Sequence, residues 1–174
     1  AWERLCIDYV GQPVSMEGLA CMQDELGQHL DPKAQEAAMM VAIAVDGYLR
    51  QQDLRQLRVE DITFDMDAEG QEEAVLHLGR AHRGESGKTG RDETVRMDFP
   101  HAVSIPKMAC AGKGPRDRVF PRPTKEYTTW WHWAGDRVGI EDPPHAARHT
   151  GASHDLATGY RSQEQIGRRG RWQS

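Results

Sequence analysis

The stretch Pro143-Pro144-His145-Ala146-Ala147-Arg148-His149-Thr150 opens a helix, because paired prolines stop the preceding chain and favour a first helical turn. His145 and Arg148, three residues apart, then share one helix face. A zinc-protease helix would need Glu at position 146, and Ala stands there. No carboxylate–imidazole set completes a metal site around His145, His149 and His154, so no metal is expected. An imidazole beside a guanidinium at a helix N-terminus makes a seat for a phosphate. The other reading is structural: Arg148 pairs with an acid and His145 caps the helix.

On the amino-terminal side, residues 15–29 read as an amphipathic helix with Leu19, Met22, Leu26 and Leu30 on one face. Asp31-Pro32 caps and starts a second helix, apolar nearly all round and therefore buried, which Gly47 ends. A short helix spans about Gln51 to Leu57. The period then changes. Val59–Phe64, Ala74–Leu78 and Thr94–Phe99 read as strands, with turns at Asp67–Gly70 and Gly84–Gly90. Helices resume at Ser104–Cys110, Lys125–Val138, His145–Thr158 and Gln163–Arg169, the last with a Ser162/Gln165 capping box. Helices, a three-strand antiparallel meander and helices again make an α+β fold, mostly helical, not an alternating parallel one.

The chain has 174 residues, which fits one domain, residues 1–174. Apolar residues make up 38% and charged residues 28%, the balance of a globular chain. No apolar run approaches a membrane span, and no secretory signal is visible. Cys6, Cys21 and Cys110 are odd in number and widely spaced, fitting neither a zinc pattern nor a disulfide framework; a reducing, intracellular compartment is the simpler reading. The net charge of −5 is uneven: residues 1–79 carry 5 Lys and Arg against 16 Asp and Glu, residues 80–174 carry 17 against 11. Such segregation fits either a polyanion-binding face or an ordinary patchy surface.

Gly87-Lys88-Thr89 imitates the end of a phosphate-binding P-loop. His82 occupies the place of the required glycine, and a strand rather than a helix follows, so the P-loop is rejected. Lys88 reads instead as a hairpin tip presenting an amine. In Gly47-Tyr48-Leu49-Arg50-Gln51-Gln52-Asp53-Leu54, Arg50 projects from a fixed position after the buried helix, and Asp53 at i+3 is placed to hold its guanidinium.

Gly-x-x-Arg-x-x-Asp-Leu-x-x-Leu from Gly47, the Lys88-Thr89-Gly90 hairpin, Val119-Phe120-Pro121, Pro144-His-x-x-Arg-His-Thr and Gly170-Arg171-Trp172 occur in one order. Together, from about Asp31 to the end, they resemble the catalytic domain of the tyrosine recombinases, the phage-integrase family. The resemblance implies site-specific recombination or integration of duplex DNA, for example by a mobile element. Strands are cleaved and rejoined through a 3′-phosphotyrosine, without metal or other cofactor. It assigns Arg50 and Arg148 to the two guanidiniums that stabilise the phosphorane-like transition state. Lys88 becomes the general acid for the departing 5′ oxygen. His145 becomes the proton-transfer or phosphate-contact imidazole, Asp53 the acidic support, and Trp172 the second His/Trp position. Arg171 rather than Trp172 directly follows the glycine, which leaves that last position open between the two. Arg168, Arg169 and Arg171 read as a phosphate-contact stripe, or as a solvated helix end. Trp130, Trp131 and Trp133 read as core, or as rings that stack on DNA.

The family nucleophile lies several residues beyond the His/Trp position, and the chain stops two residues after Trp172. Tyr9, Tyr48, Tyr127 and Tyr160 do not match its place. The expectation is a catalytic-domain fragment, inactive alone, lacking the family's amino-terminal DNA-clamping domain and its carboxyl-terminal tyrosine. The family works as a homotetramer on DNA, inside the cell and wherever that DNA is, nucleus or nucleoid; the fragment alone can be monomeric. The rivals are a non-catalytic DNA-binding module on the same fold and a type IB topoisomerase-like nicking enzyme.

Overall fold

Helix α1 (Met16–Gln28) begins where the Ser15 hydroxyl accepts the Gly18 N–H, and it lays Leu19, Met22 and Leu26 in the core. The computed structural model describes residues 14–85, 92–99, 101 and 103–172. Leu30, expected on the same face, is 94% exposed. The helix stops at Gln28 and His29 is extended, so the helical spacing no longer maps Leu30 onto that face. Helix α2 (Pro32–Gly47) starts as expected on the Asp31 carboxylate, which accepts the Lys33 N–H at 2.8 Å. It is buried along most of its length. Its cap is not a glycine: Tyr48 takes the left-handed conformation, at φ 49°.

Helix α3 (Gln51–Gln56) follows. Val59–Asp61, expected to begin a strand, forms a 3-10 turn because the Asp61 carboxylate folds back to accept the Arg58 N–H at 2.9 Å. Strands β1 (Ile62–Met66), β2 (Glu72–Leu78) and β3 (Glu93–Met97) then form an antiparallel sheet in that order, with Thr63 opposite Val75 and Val75 opposite Arg96. Alternation puts Ala74, Leu76, Leu78, Val95 and Met97 in the core. Asp61 also grips the Arg83 guanidinium with both oxygens, at 2.9 and 2.6 Å, and Glu60 and Glu85 join it. The start of the β2–β3 connection is thus tied to the base of β1. Lys88, further along that connection, lies outside the described residues.

Helices α4 (Ser104–Cys110), α5 (Thr124–Val138), α6 (Ala146–Thr158) and α7 (Gln163–Gly170) complete the α+β fold. Helix α7 starts on the expected capping box, Ser162 with Gln165. Trp131 is fully buried, its indole N–H donating to the Asp142 carbonyl at 2.6 Å. Trp130 and Trp133 are half-buried and clasp the His29 ring, each at 4.9 Å between centroids. Helices α1, α4, α5 and α6 and strand β3 all pack on α2. Where α6 crosses α2, a Cβ on Gly151 would stand 2.2 Å from the Val45 carbonyl oxygen. That contact of backbone with backbone holds the start of α6 against the end of α2. Among the described residues, no helix is long and apolar enough to cross a membrane.

Candidate active site

Three helix termini meet at one place: the end of α2 with Arg50 just beyond it, the start of α6 with His145, Arg148 and His149, and the end of α7 with Gly170, Arg171 and Trp172. Tyr48 and Arg171 are the two non-glycine residues with positive φ among those described, at 49° and 55°. Both sit here, so the backbone carries its left-handed strain around this one site.

Arg148 lies at the centre. It is 1% exposed, and one of its terminal nitrogens donates to the Gly170 carbonyl. Its Nε and Nη1 are buried with no hydrogen-bond partner. The Trp172 indole covers the guanidinium, 4.7 Å from ring centre to Cζ. Burial holds the Arg148 pKa down to about 9, helped by the charges of Arg50 and Arg171; Asp53 and Glu93 push the other way. The group remains a cation at neutral pH. A buried cation with two idle donors and two cationic neighbours favours an anion beside it.

The imidazoles report the same field. Burial lowers the His145 pKa, and Arg148 and then Arg50 lower it further. His149 falls to about 4 through burial, His145 and Arg148. Both rings are neutral at pH 7, packed edge to face at 4.7 Å. The His149 ring in turn stacks on Trp172 at 5.8 Å, and Tyr48 stacks on Trp172 at 6.1 Å. Arg50 and His145 line an open recess of about 440 Å³, together with Gln51, Gln52, Thr128, Pro143 and Pro144. Among the described residues, no group of three or more His, Cys, Asp or Glu is placed to hold a metal ion.

The chain superposes on the XerH site-specific recombinase in a pre-cleavage complex with its difH substrate at a TM-score of 0.67, with 13% identity, over 95% of this chain and 48% of that one. The fold is that of the tyrosine-recombinase catalytic domain. Lambda integrase bound to DNA gives a TM-score of 0.57 at 13% identity, over 92% of this chain and 62% of that one. The Tn1549 transposon integrase in complex with circular-intermediate DNA gives 0.60 at 13%, over 94% and 58%. The chain thus spans about half the length of the XerH recombinase, 48%. No protein-family profile and no curated protein matches the sequence.

On this recombinase fold Arg50, His145, Arg148 and Trp172 come together from positions more than a hundred residues apart. Asp53 does not hold the Arg50 guanidinium, as its i+3 spacing led us to expect. Its Oδ2 accepts the Arg50 backbone N–H at 2.9 Å and the Arg171 guanidinium at 2.6 Å. A carboxylate at the third position of a short helix serves the orphan N–H of its cap, so it faces backbone rather than side chain. The stripe expected of Arg168, Arg169 and Arg171 does not form. Arg168 is exposed and pairs with Glu164 at 2.5 Å. Arg169 turns inward to buried Asp46, at 3.0 Å, and to Asp98. Arg171 turns inward to Asp53 and Glu93.

His149, weighed in the sequence only as a metal ligand beside His145, belongs to the cluster through its ring contacts. One feature was missed in the sequence. Beneath the site, the Tyr48 hydroxyl donates to the Asp155 carboxylate, which Arg161 also grips, and Arg161 reaches Asp98 at 2.5 Å. Nothing in the local pattern links residues so far apart.

Proposed function

We propose that this domain binds duplex DNA and that its cationic site seats one phosphodiester for strand cleavage and rejoining by a tyrosine recombinase mechanism. The observation that carries the reading is Arg148: almost wholly buried, yet with Nε and Nη1 unpaired. A structural arginine at that depth would be met by a carboxylate, as Arg83 and Arg161 are. Arg50 and Arg148 supply two fixed positive groups for the charge that gathers on the non-bridging oxygens as phosphorus becomes five-coordinate. His145, neutral and at the edge of the recess, can accept a proton from the attacking hydroxyl or bond a phosphate oxygen. Trp172 shields Arg148 from water and keeps it flat against the site. Lys88 takes the general-acid role in this reading.

The described tyrosines do not supply the nucleophile. Tyr48 is fully buried with its hydroxyl bound to Asp155. Tyr127 is buried in the core. Tyr160 lies past the far end of α6 from Arg148. The nucleophile is a tyrosine from elsewhere, in the same polypeptide or in a neighbouring protomer of a tetramer on DNA. Of the terminal arginines, Arg168 alone faces outward to meet backbone phosphates.

The test uses the full-length polypeptide and a duplex selected from a random pool for tight binding, then nicked inside the bound site to trap cleavage. The wild type should leave a denaturant-stable covalent adduct on the 3′ phosphate, unaffected by EDTA, and Arg50→Ala or Arg148→Ala should leave none. An adduct at wild-type level in either variant refutes the assigned roles. Binding without any adduct from the wild type would favour a DNA-binding module instead.

A further inference from the structure

We propose that Arg169 is a positioning residue: by bracing the end of α7 on Asp46 at the end of α2, it holds Arg148 and Arg50 in register for one phosphate. The inference rests on Arg50 and Arg148 being the phosphate seat. It gives a role to an arginine that turns away from solvent and so is not a DNA contact.

The two guanidiniums of the seat stand on different elements. Arg50 follows the end of α2, and Arg148 stands in the first turn of α6. One terminal nitrogen of Arg148 donates to the Gly170 carbonyl at the end of α7, so the place of Gly170 bears directly on the place of Arg148. Helix α7 packs on α6. Arg169, the residue before Gly170, fastens it to α2. Its Nε donates to the Asp46 carbonyl at 2.8 Å, and its Nη2 to Asp46 Oδ1 at 3.0 Å. Its Nη1 lies 3.3 Å from Asp98 Oδ2. One planar fork thus grips both the backbone and the side chain of a residue in the last turn of α2, just ahead of Arg50.

The anchor is itself held on several sides. Asp46 is 1% exposed. Its Oδ2 accepts the Asp98 and Phe99 N–H groups at 2.9 and 3.4 Å, which ties in the segment that follows β3. Arg161, between α6 and α7, reaches Asp98 at 2.5 Å, stands 3.8 Å from Asp46 and grips Asp155. Asp155 lies about two helical turns beyond Arg148 on the same face of α6. Three carboxylates and two guanidiniums therefore cross-brace α2, α6 and α7, the elements that carry the seat. Apolar packing would stabilise such a place as well or better, and what an ion network adds in this reading is a single fixed register.

The experiment uses the full-length polypeptide and the nicked duplex described above. Single-turnover cleavage is read at saturating duplex, duplex affinity is read separately, and each variant is held well below its own melting temperature. Arg169→Ala should cleave slower by on the order of a hundredfold, the cost of about 1 Å of misplacement between reacting groups. Its duplex affinity should stay near wild type, because the side chain faces inward. Leu26→Ala opens the core at α1, which carries no residue of the seat, and controls for lost stability: it should cleave at the wild-type rate. A merely structural role predicts that Arg169→Ala behaves like that control. Asp46→Asn should also slow cleavage, and the double variant should be no slower than Arg169→Ala alone, since the two act through one contact. Should Arg169→Ala not fold, Arg169→Lys serves: it keeps the charge, loses the fork and should cleave roughly tenfold slower or worse. Wild-type cleavage by either Arg169 variant, losses that multiply in the double variant, or a fall in affinity with the rate retained would each overturn the proposal. A wild type that forms no adduct would remove the reaction itself, and the positioning role with it.

Discussion

Gly151→Ala tests the crossing that assembles the site. The added methyl would sit 2.2 Å from the Val45 carbonyl oxygen, 3.0 Å from its carbon and 3.2 Å from Tyr48 Cε1. A Cβ is essentially never found closer than 3.0 Å to another heavy atom, so α6 and α2 must part by roughly 0.8 Å or more. The obstacle is backbone inside a buried helix, so no side chain can rotate out of the way. Overpacking of this kind costs about 1–3 kcal/mol, and the backbone contact places this case at or above the top of that range. The gain in helix propensity from Gly to Ala returns about 1 kcal/mol. A net loss of about 2 kcal/mol lowers the melting temperature by roughly 4–8 °C for a chain of this length. The displacement also moves Arg148 relative to Arg50, and in the proposed reaction a shift near 1 Å costs on the order of a hundredfold in rate. Thermal melting by calorimetry reads the first effect. Gly167→Ala is the control: a methyl on that helical glycine would meet nothing within 4 Å, so the variant should melt at or above the wild-type temperature. A Gly151→Ala protein as stable as the wild type would refute the close crossing.

Arg169→Ala should cost about 3 kcal/mol in a denaturant melt, because it strips a cation from Asp46, which is 1% exposed. Arg168→Ala, which breaks only an exposed pair with Glu164, should stay within about 0.5 kcal/mol. Equal effects would mean that the two arginines do not differ in placement. For acid stability, His149 has a folded pKa of about 4 against about 6.5 unfolded, so the unfolded chain binds more protons between those values. Its contribution to stability should therefore fall as pH drops from about 6.5 towards 4. Buried Asp46 and half-buried Glu36, with raised pKa values, act in the opposite sense. The difference between wild type and His149→Gln isolates the imidazole, and an equal pH slope in both would refute its burial beside Arg148. Trp172→Ala should lose about 2–3 kcal/mol, from a half-buried indole and its cation–π contact, with Trp172→Phe recovering part of it. No change in the melt would mean that the indole does not cover Arg148.

Local rules carried much of the fold. The Asp31-Pro32 start, the Ser162/Gln165 box and the all-apolar α2 obey capping and periodicity, which act within a few residues. The His-x-x-Arg spacing placed two site residues on one face for the same reason. Failures fall where a distant partner decides. The end of α1, a local event, exposed Leu30, but Asp53 turns to Arg171 across 118 positions and Arg169 to Asp46 across 123. Ion pairs of that separation leave no periodic trace, and a string of arginines looks alike whether it faces solvent or a buried aspartate. The left-handed Tyr48 was hidden by its neighbour Gly47, the residue that ordinarily takes that conformation.

The central claim is that Arg50, Arg148 and His145 frame a seat for one phosphodiester. A structure of this domain with a bound duplex tests it most directly. The account predicts a backbone phosphate within hydrogen-bond distance of Arg148 Nε and Nη1, with Arg50 on the same group. DNA docked on another face, or Arg148 closed onto a carboxylate while DNA is bound, would contradict it.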